Sequence, residues 1–233
     1  MNKSFTLLLL ACIALLAALS ACSDSDGCSS SGVVKSPSVV RDSFVDVRDG
    51  QVYKTVKIGN QVWMAENLSY KTPNSFCFVD ADSNCTKYGR LYTWEASENV
   101  CPAGFHLPTV DEWEKLIMAA GGNEEAYHAL KSKRGTGVAN CEYVSTRICM
   151  ENGGWDKYGF GALPAGERLL SNNNTRSFFY YTGEGWKTSF WSSTDKDKDD
   201  AYSMTFQQKY FKPRVEIQGM SKNSGFSIHC VKN

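Results

Sequence analysis

Three histidines, nine cysteines and two short acidic runs carry most of the chemistry this chain could perform. His106 is the first candidate. It stands in CPAGFHLPTVDEWE, Cys101 to Glu114, between Phe105 and Leu107 and just ahead of a helix start. A general base needs a partner and an open pocket. A histidine between two apolar residues at a chain corner reads instead as a polar brace. His229, beside Cys230 in an apolar stretch, reads as structural, and His128 as a helix-surface residue. No G-x-S-x-G nucleophile elbow occurs, so no catalytic residue is assigned.

The acidic runs invite a metal reading. Asp80, Asp82 and Asn84 imitate the first positions of a calcium loop, but such a loop needs glycine at its sixth position and glutamate at its twelfth, and Cys85 interrupts at once. The run DKDKDD, Asp195 to Asp200, interleaves lysines and reads as a solvated loop. No C-x-x-C pair and no cysteine with a well-spaced histidine is present. Neither a metal nor a cofactor is expected.

What the cysteines do depends on the compartment. The chain opens MNKSFTLLLLACIALLAALSAC, with Lys3 ahead of an apolar run of about fifteen residues, the length of a signal-peptide core and too short to span a bilayer. Leu19-Ser20-Ala21-Cys22 resembles a bacterial lipobox. Residues 1–21 are therefore expected to be a lipoprotein signal peptide, and Cys22 the lipid-bearing residue that anchors the chain to a membrane. Ser23, Asp24 and Asp26 behind it point to the outer membrane or cell surface by resemblance to other bacterial lipoproteins.

Export implies an oxidising environment, where cysteines pair. Cys77 and Cys85 bracket FVDADSN, and Cys141 and Cys149 bracket EYVSTRI. Cys101 and Cys230 are then left for each other, with Cys28 odd. Loop-closure entropy assigns about 2.6 kcal/mol to the first bridge and about 5 kcal/mol to the long one.

Positioning these residues falls to a single domain. Residues 22–43, rich in Ser, Asp, Gly and Val, read as a flexible tether, and 44–233 remain as one domain with room for a sizeable core. Basic and acidic residues balance at 25 each, which excludes the basic excess a nucleic-acid partner would want.

Val52 to Ile58 alternates between the turn signals Asp49-Gly50 and Gly59-Asn60, a β-meander. GRLYTW, Gly89 to Trp94, is apolar but ambiguous between strand and helix. Thr109 with Glu112 has capping-box spacing, and Trp113, Leu116, Ile117 and Ala120 follow on one helical face until Gly121-Gly122. A second helix is expected from Asn123 to about Lys133, with Ala126, Leu130 and Tyr127 inward. Beyond it the chain reads as glycine- and asparagine-rich loops, with strands at Phe190 to Ser193, Ala201 to Phe206 and Phe226 to Val231. The class is α+β.

Several segments in order, IGNQVWMAENL, KYGRLYTWEAS, CPAGFHLPTVDEWEKL, YGFGALPAGER, FWSST and GFSIHCVKN, resemble the Fibrobacter succinogenes major paralogous domain. The resemblance spans about Phe44 to Asn233. It implies a C-type lectin-like fold, with two helices, a small mainly antiparallel sheet, long loops and disulfides, shared with the formylglycine-generating proteins. Their pattern G-x-R-L-P-T-E-x-E-W is similar to Gly104 to Trp113, with arginine where His106 stands, which supports the brace. A disulfide like Cys101–Cys230 commonly closes that fold. The copper-ligating cysteine pair of those enzymes has no counterpart. Nor do the Glu-Pro-Asn, Gln-Pro-Asp and Trp-Asn-Asp tripeptides with which sugar-binding lectins hold calcium occur. Arg168, in GALPAGER, is expected to fix loops through its donors.

The remaining candidates are aromatic. Phe178 to Tyr181, Trp186, Phe190 and Trp191 crowd one segment, with Trp155 ahead of them. Most fit a core. Alternation in FFYY leaves Tyr180, with Trp186 and Trp155, as candidate platforms for sugar rings on long loops from Trp155 to Trp191. The expected function is a non-enzymatic, lipid-anchored envelope module binding polysaccharide or another surface polymer. The alternatives are a structural or protein-interaction envelope lipoprotein, and a polysaccharide-acting enzyme.

Overall fold

The computed structural model describes residues 41–133, 154–172, 177–185, 187–209 and 212–233. The signal peptide, Cys22, Cys28, the Cys141–Cys149 pair and Trp186 lie outside them.

The meander forms as its alternation demands. β1 (Arg41–Val45), β2 (Val52–Ile58) and β3 (Gln61–Met64) are antiparallel neighbours. β1 begins ahead of Phe44, so the ordered strand takes in the end of the stretch read as tether. In β2, Tyr53 and Thr55 are buried on one face and Val56 and Ile58 on the other, so the strand divides two core clusters. GRLYTW resolves into both candidates: β5 (Leu91–Tyr92), paired with β4 (Ser75–Phe76), and then the short helix α2 (Trp94–Ser97). Between Cys77 and Cys85 the chain is helical rather than a loop. A 3₁₀ turn at Phe78–Asp80 leads into α1 (Asp82–Tyr88), and the Cys77–Cys85 bond clamps the two.

α3 (Val110–Ala119) starts at Thr109 with the capping box formed both ways, and α4 (Asn123–Leu130) follows the glycine pair. Trp113, Leu116, Ile117, Ala126, Tyr127 and Leu130 all face the larger core, against Trp63, Phe160 and Phe190. Just ahead of α3 lies β6 (Phe105–His106).

The second half departs from expectation. Instead of long loops, the chain builds a hairpin from β7 (Ala165–Asn172) and β8 (Ser177–Glu184). It continues as β9 (Thr188–Asp195), β10 (Asp200–Lys209) and β11 (Lys212–Ser221). The sheet order is β11-β10-β9-β7-β8, antiparallel except for one parallel pair, Gly166 with Thr188. Two of the glycines that read as loop punctuation, Gly166 and Gly183, sit inside strands. Gly166 has φ 75°, and a Cβ there would meet the Phe78 ring and come within 2.7 Å of the Thr182 carbonyl oxygen. Only a residue without a side chain lets this hairpin close on the 3₁₀ turn. Gly166→Ala should therefore cost about 3 kcal/mol, from left-handed strain plus overpacking; a urea midpoint equal to wild type would show the approach to be slack.

The last segment was expected as one strand from Phe226 to Val231. It is extended, but each residue finds a different neighbour. Phe226 pairs with Tyr92, Ser227 bridges to Phe190, and the Ile228 and Cys230 carbonyls accept from the Leu68 and Met64 amides. Only β12 (Val231–Lys232) joins a ladder, between β3 and β6 in the sheet β1-β2-β3-β12-β6. The Cys101–Cys230 bond, across 129 residues, closes the chain beside it. Among the described residues the fold is mostly sheet, mainly antiparallel, with four helices and two disulfides.

Candidate functional site

The corner at Cys101 to Glu114 is structural in every contact. His106 Nε2 lies 2.9 Å from Glu112 Oε1 and its Nδ1 2.6 Å from Asn233 Oδ1. Glu112 Oε2 accepts from the Thr109 amide and hydroxyl, both at 2.9 Å. Burial alone would raise the Glu112 carboxyl, but the Thr109 amide and the His106 ring outweigh it and hold the group below its ordinary value. His106 thus joins the capping box to the last residue of the chain.

His229 is fully buried between the Phe160 and Phe190 rings, with its Nε2 2.7 Å from Asn67 Oδ1. Asn67 Nδ2 donates to the Tyr88 carbonyl and Ser227, so Oδ1 is the acceptor and the His229 proton is on Nε2. Burial pushes its pKa down to about 3. His128 is half-buried under Trp155, stacked with ring centroids 5.0 Å apart.

The acidic runs bind the protein's own side chains and backbone. Asp80 accepts from the Tyr181 hydroxyl at 2.5 Å, Asn84 donates to the Phe78 carbonyl, and Asp82 opens α1. Asp195 to Asp200 is the exposed turn between β9 and β10, where Asp197 caps the amides of Asp199 and Asp200. Among the described residues no group of three His, Cys, Asp or Glu could hold a metal ion.

An open groove of about 410 Å³ gathers aromatic and polar side chains from five places in the fold. One wall is the start of α2. There Trp94 Nε1 donates to the Ser192 carbonyl at 2.8 Å and the Trp94 amide to the Lys222 carbonyl at 3.0 Å. Thr93, the N-cap of α2, donates its amide to the Asn74 carbonyl and so ties this wall to β4. Opposite stand Phe76 of β4 and Phe179 of β8, with Arg168 of β7 between them. The Arg168 guanidinium carbon lies 3.8 Å from the Phe76 ring centre and 3.5 Å from that of Phe179.

Arg168 acts through the planar faces of its guanidinium. It sits directly across the ladder from Tyr181, and its own backbone pairs with Gly225. Burial and the neighbouring Asp80 push Tyr181 up to about 12, so it stays a neutral donor. The second cation of the groove, Lys222, lies 4.6 Å from the Trp94 ring centre. Rings clamped by cations in this way keep one orientation without a ligand.

The sequence candidates fall elsewhere. Trp155 is 54 % exposed but lies at the end of α4, where its amide donates to the His128 carbonyl. Tyr180 is 40 % exposed, with Phe178 as its ring neighbour, and does not line the groove. Phe178, Phe179 and Tyr180 are all exposed, because the hairpin stands clear of the core on both faces there. Phe76, Trp94 and Phe179 were missed as site residues. The available signal was an aromatic next to a small polar side chain, as in Asn74-Ser75-Phe76 and Thr93-Trp94.

Compared with known proteins, the chain matches the Fibrobacter succinogenes major domain over residues 56–232. No curated protein and no solved structure matches it. The match takes in both observed disulfides, the braced corner and the whole groove, and the chain belongs to the Fibrobacter succinogenes major domain family.

Proposed function

We propose that this domain is a non-enzymatic binding module for polysaccharide, held at the cell envelope by lipid on Cys22. The observation that carries the reading is the groove. Phe76, Trp94 and Phe179 stand fixed beside the neutral polar groups of Asn74, Thr93 and Asn223. Sugars present apolar C–H faces and hydroxyl edges, and fixed rings beside amides suit both. The two carboxylates of the groove, Glu95 and Glu98, stand three residues apart on one wall, not across a cleft as glycoside hydrolysis requires.

The C-type lectin-like fold belongs to the same proposal. The first strands and β12 lie side by side, a disulfide ties the approach to α3 to the last strand, and two helices back the sheet.

Retention of the mature protein on a panel of immobilised polysaccharides tests the binding, and retention on none of them would refute it. Cys22→Ala tests the anchor. The variant should be released from the membrane fraction and lose the mass of the acyl chains, since each buried CH₂ contributes about 0.8 kcal/mol. Unchanged fractionation and mass would refute the anchor, and with it the outer-membrane or cell-surface destination.

A protein-interaction role has one observation in its favour, the exposed aromatics Phe178, Phe179 and Tyr180 on the hairpin. It would be preferred if Tyr180→Ala abolished capture of an envelope protein while polysaccharide retention was absent.

A further inference from the structure

We infer that the groove selects neutral, hydroxyl-rich polysaccharides and rejects acidic ones; this rests on the polysaccharide reading above. Four ionisable side chains line the groove: Arg168, Lys222, Glu95 and Glu98. Both cations make contacts within the protein. The Lys222 ammonium has three protons and three oxygen partners, Asp195 Oδ1 at 2.5 Å and the carbonyls of Asp197 and Lys198 at 2.8 and 3.3 Å. Its remaining side faces the Trp94 ring. The guanidinium carbon of Arg168 lies 3.8 Å from the Phe76 ring centre and 3.5 Å from that of Phe179, so aromatic rings cover its planar faces. A ligand carboxylate or sulfate would have to displace one of the Lys222 contacts to reach that ammonium.

The anions are free. Glu95 and Glu98 are exposed, stand at i and i+3 at the α2 end of the wall, and form no ion pair among the described residues. A ligand in the groove therefore meets two carboxylates, two amides from Asn74 and Asn223, and the Thr93 side chain. Carboxylates and amides accept from sugar hydroxyls. The same carboxylates repel a uronate or sulfate at contact distance, each by about fivefold in affinity in water. The aromatic rings supply attraction that does not depend on charge, so they bind neutral and acidic chains alike and leave discrimination to the glutamates.

Electrophoretic retardation of the mature protein in native gels containing hydroxyethyl cellulose or alginate tests this at low ionic strength, where screening is weak. Wild type should be retarded by the neutral polymer at least tenfold more than by alginate, and added salt should narrow the gap. In Glu95→Gln/Glu98→Gln the ratio should shift toward alginate by tenfold or more, with the melting temperature unchanged because both side chains are exposed. Equal retardation of wild type by the two polymers, or an unaltered ratio in the double variant, would overturn the selectivity while leaving polysaccharide binding intact. Retardation by neither polymer would overturn the binding reading and the selectivity together.

Discussion

Replacing Cys101 and Cys230 together by alanine should remove about 5 kcal/mol of stability. The bond closes a loop across 129 residues, and loop-closure entropy grows with that length. The Cys77–Cys85 bond spans a separation of only 8, so its removal should cost about half as much. A domain of this size has about 5–15 kcal/mol in total. The long bridge thus separates a stable fold from one that is substantially open at room temperature. Urea unfolding of the two double variants measures the difference. Equal shifts in midpoint would mean that the bridges act through local packing and not through the unfolded chain.

Acid should unfold the domain from an unusually high pH because of His229. Its ordinary pKa is 6.5, and in the folded protein burial pushes it down to about 3. The unfolded chain therefore takes up the proton first. The stabilising contribution is complete above 6.5 and is lost as pH falls from there toward 3. Between pH 7 and pH 4 the loss should be about 3 kcal/mol. A proton added in the folded state would place a full charge between Phe160 and Phe190, which offer it no counter-ion. His229→Gln keeps a donor toward Asn67 and removes the titration. Its stability should be lower at pH 7 but nearly flat between pH 7 and pH 5. A variant that retained the wild-type slope over that range would assign the acid sensitivity to another group. Glu112, held below its ordinary value of 4.5, adds stability that is complete above that pH and is lost as pH falls below it.

How much of this was legible in the sequence follows from the range of each interaction. The α3 capping box was readable because Thr109 and Glu112 are three residues apart and the signal is local. The α4 face and the β2 alternation were readable for the same reason. The β7–β8 hairpin was not. Gly166 and Gly183 looked like turn residues, whereas Gly166 is present because Phe78, far away in the chain, occupies the space of its side chain. β11 was missed because Pro213 and Gly219 obscured the alternation of Val215 and Ile217. The long disulfide emerged by elimination once export was inferred.

The groove had no contiguous signature beyond an aromatic beside a small polar side chain. Its walls come from residues 74 to 223, and Phe76 or Trp94 alone looks like any core aromatic. Exposure in FFYY was legible in part. Alternation singled out Tyr180, but the structure places Phe179 in the groove, because Arg168 reaches across the ladder and draws the Phe179 ring against its guanidinium.

The most direct test is a comparison of Phe179→Ala with Trp155→Ala in native gels containing hydroxyethyl cellulose, each with a thermal melt. Both side chains are substantially exposed, so neither truncation should lower the melting temperature by more than a few degrees. If the groove is the polysaccharide site, Phe179→Ala loses most of the retardation and Trp155→Ala migrates as wild type. Wild-type retardation of Phe179→Ala, or its loss in Trp155→Ala alone, would place binding outside the groove and contradict the account.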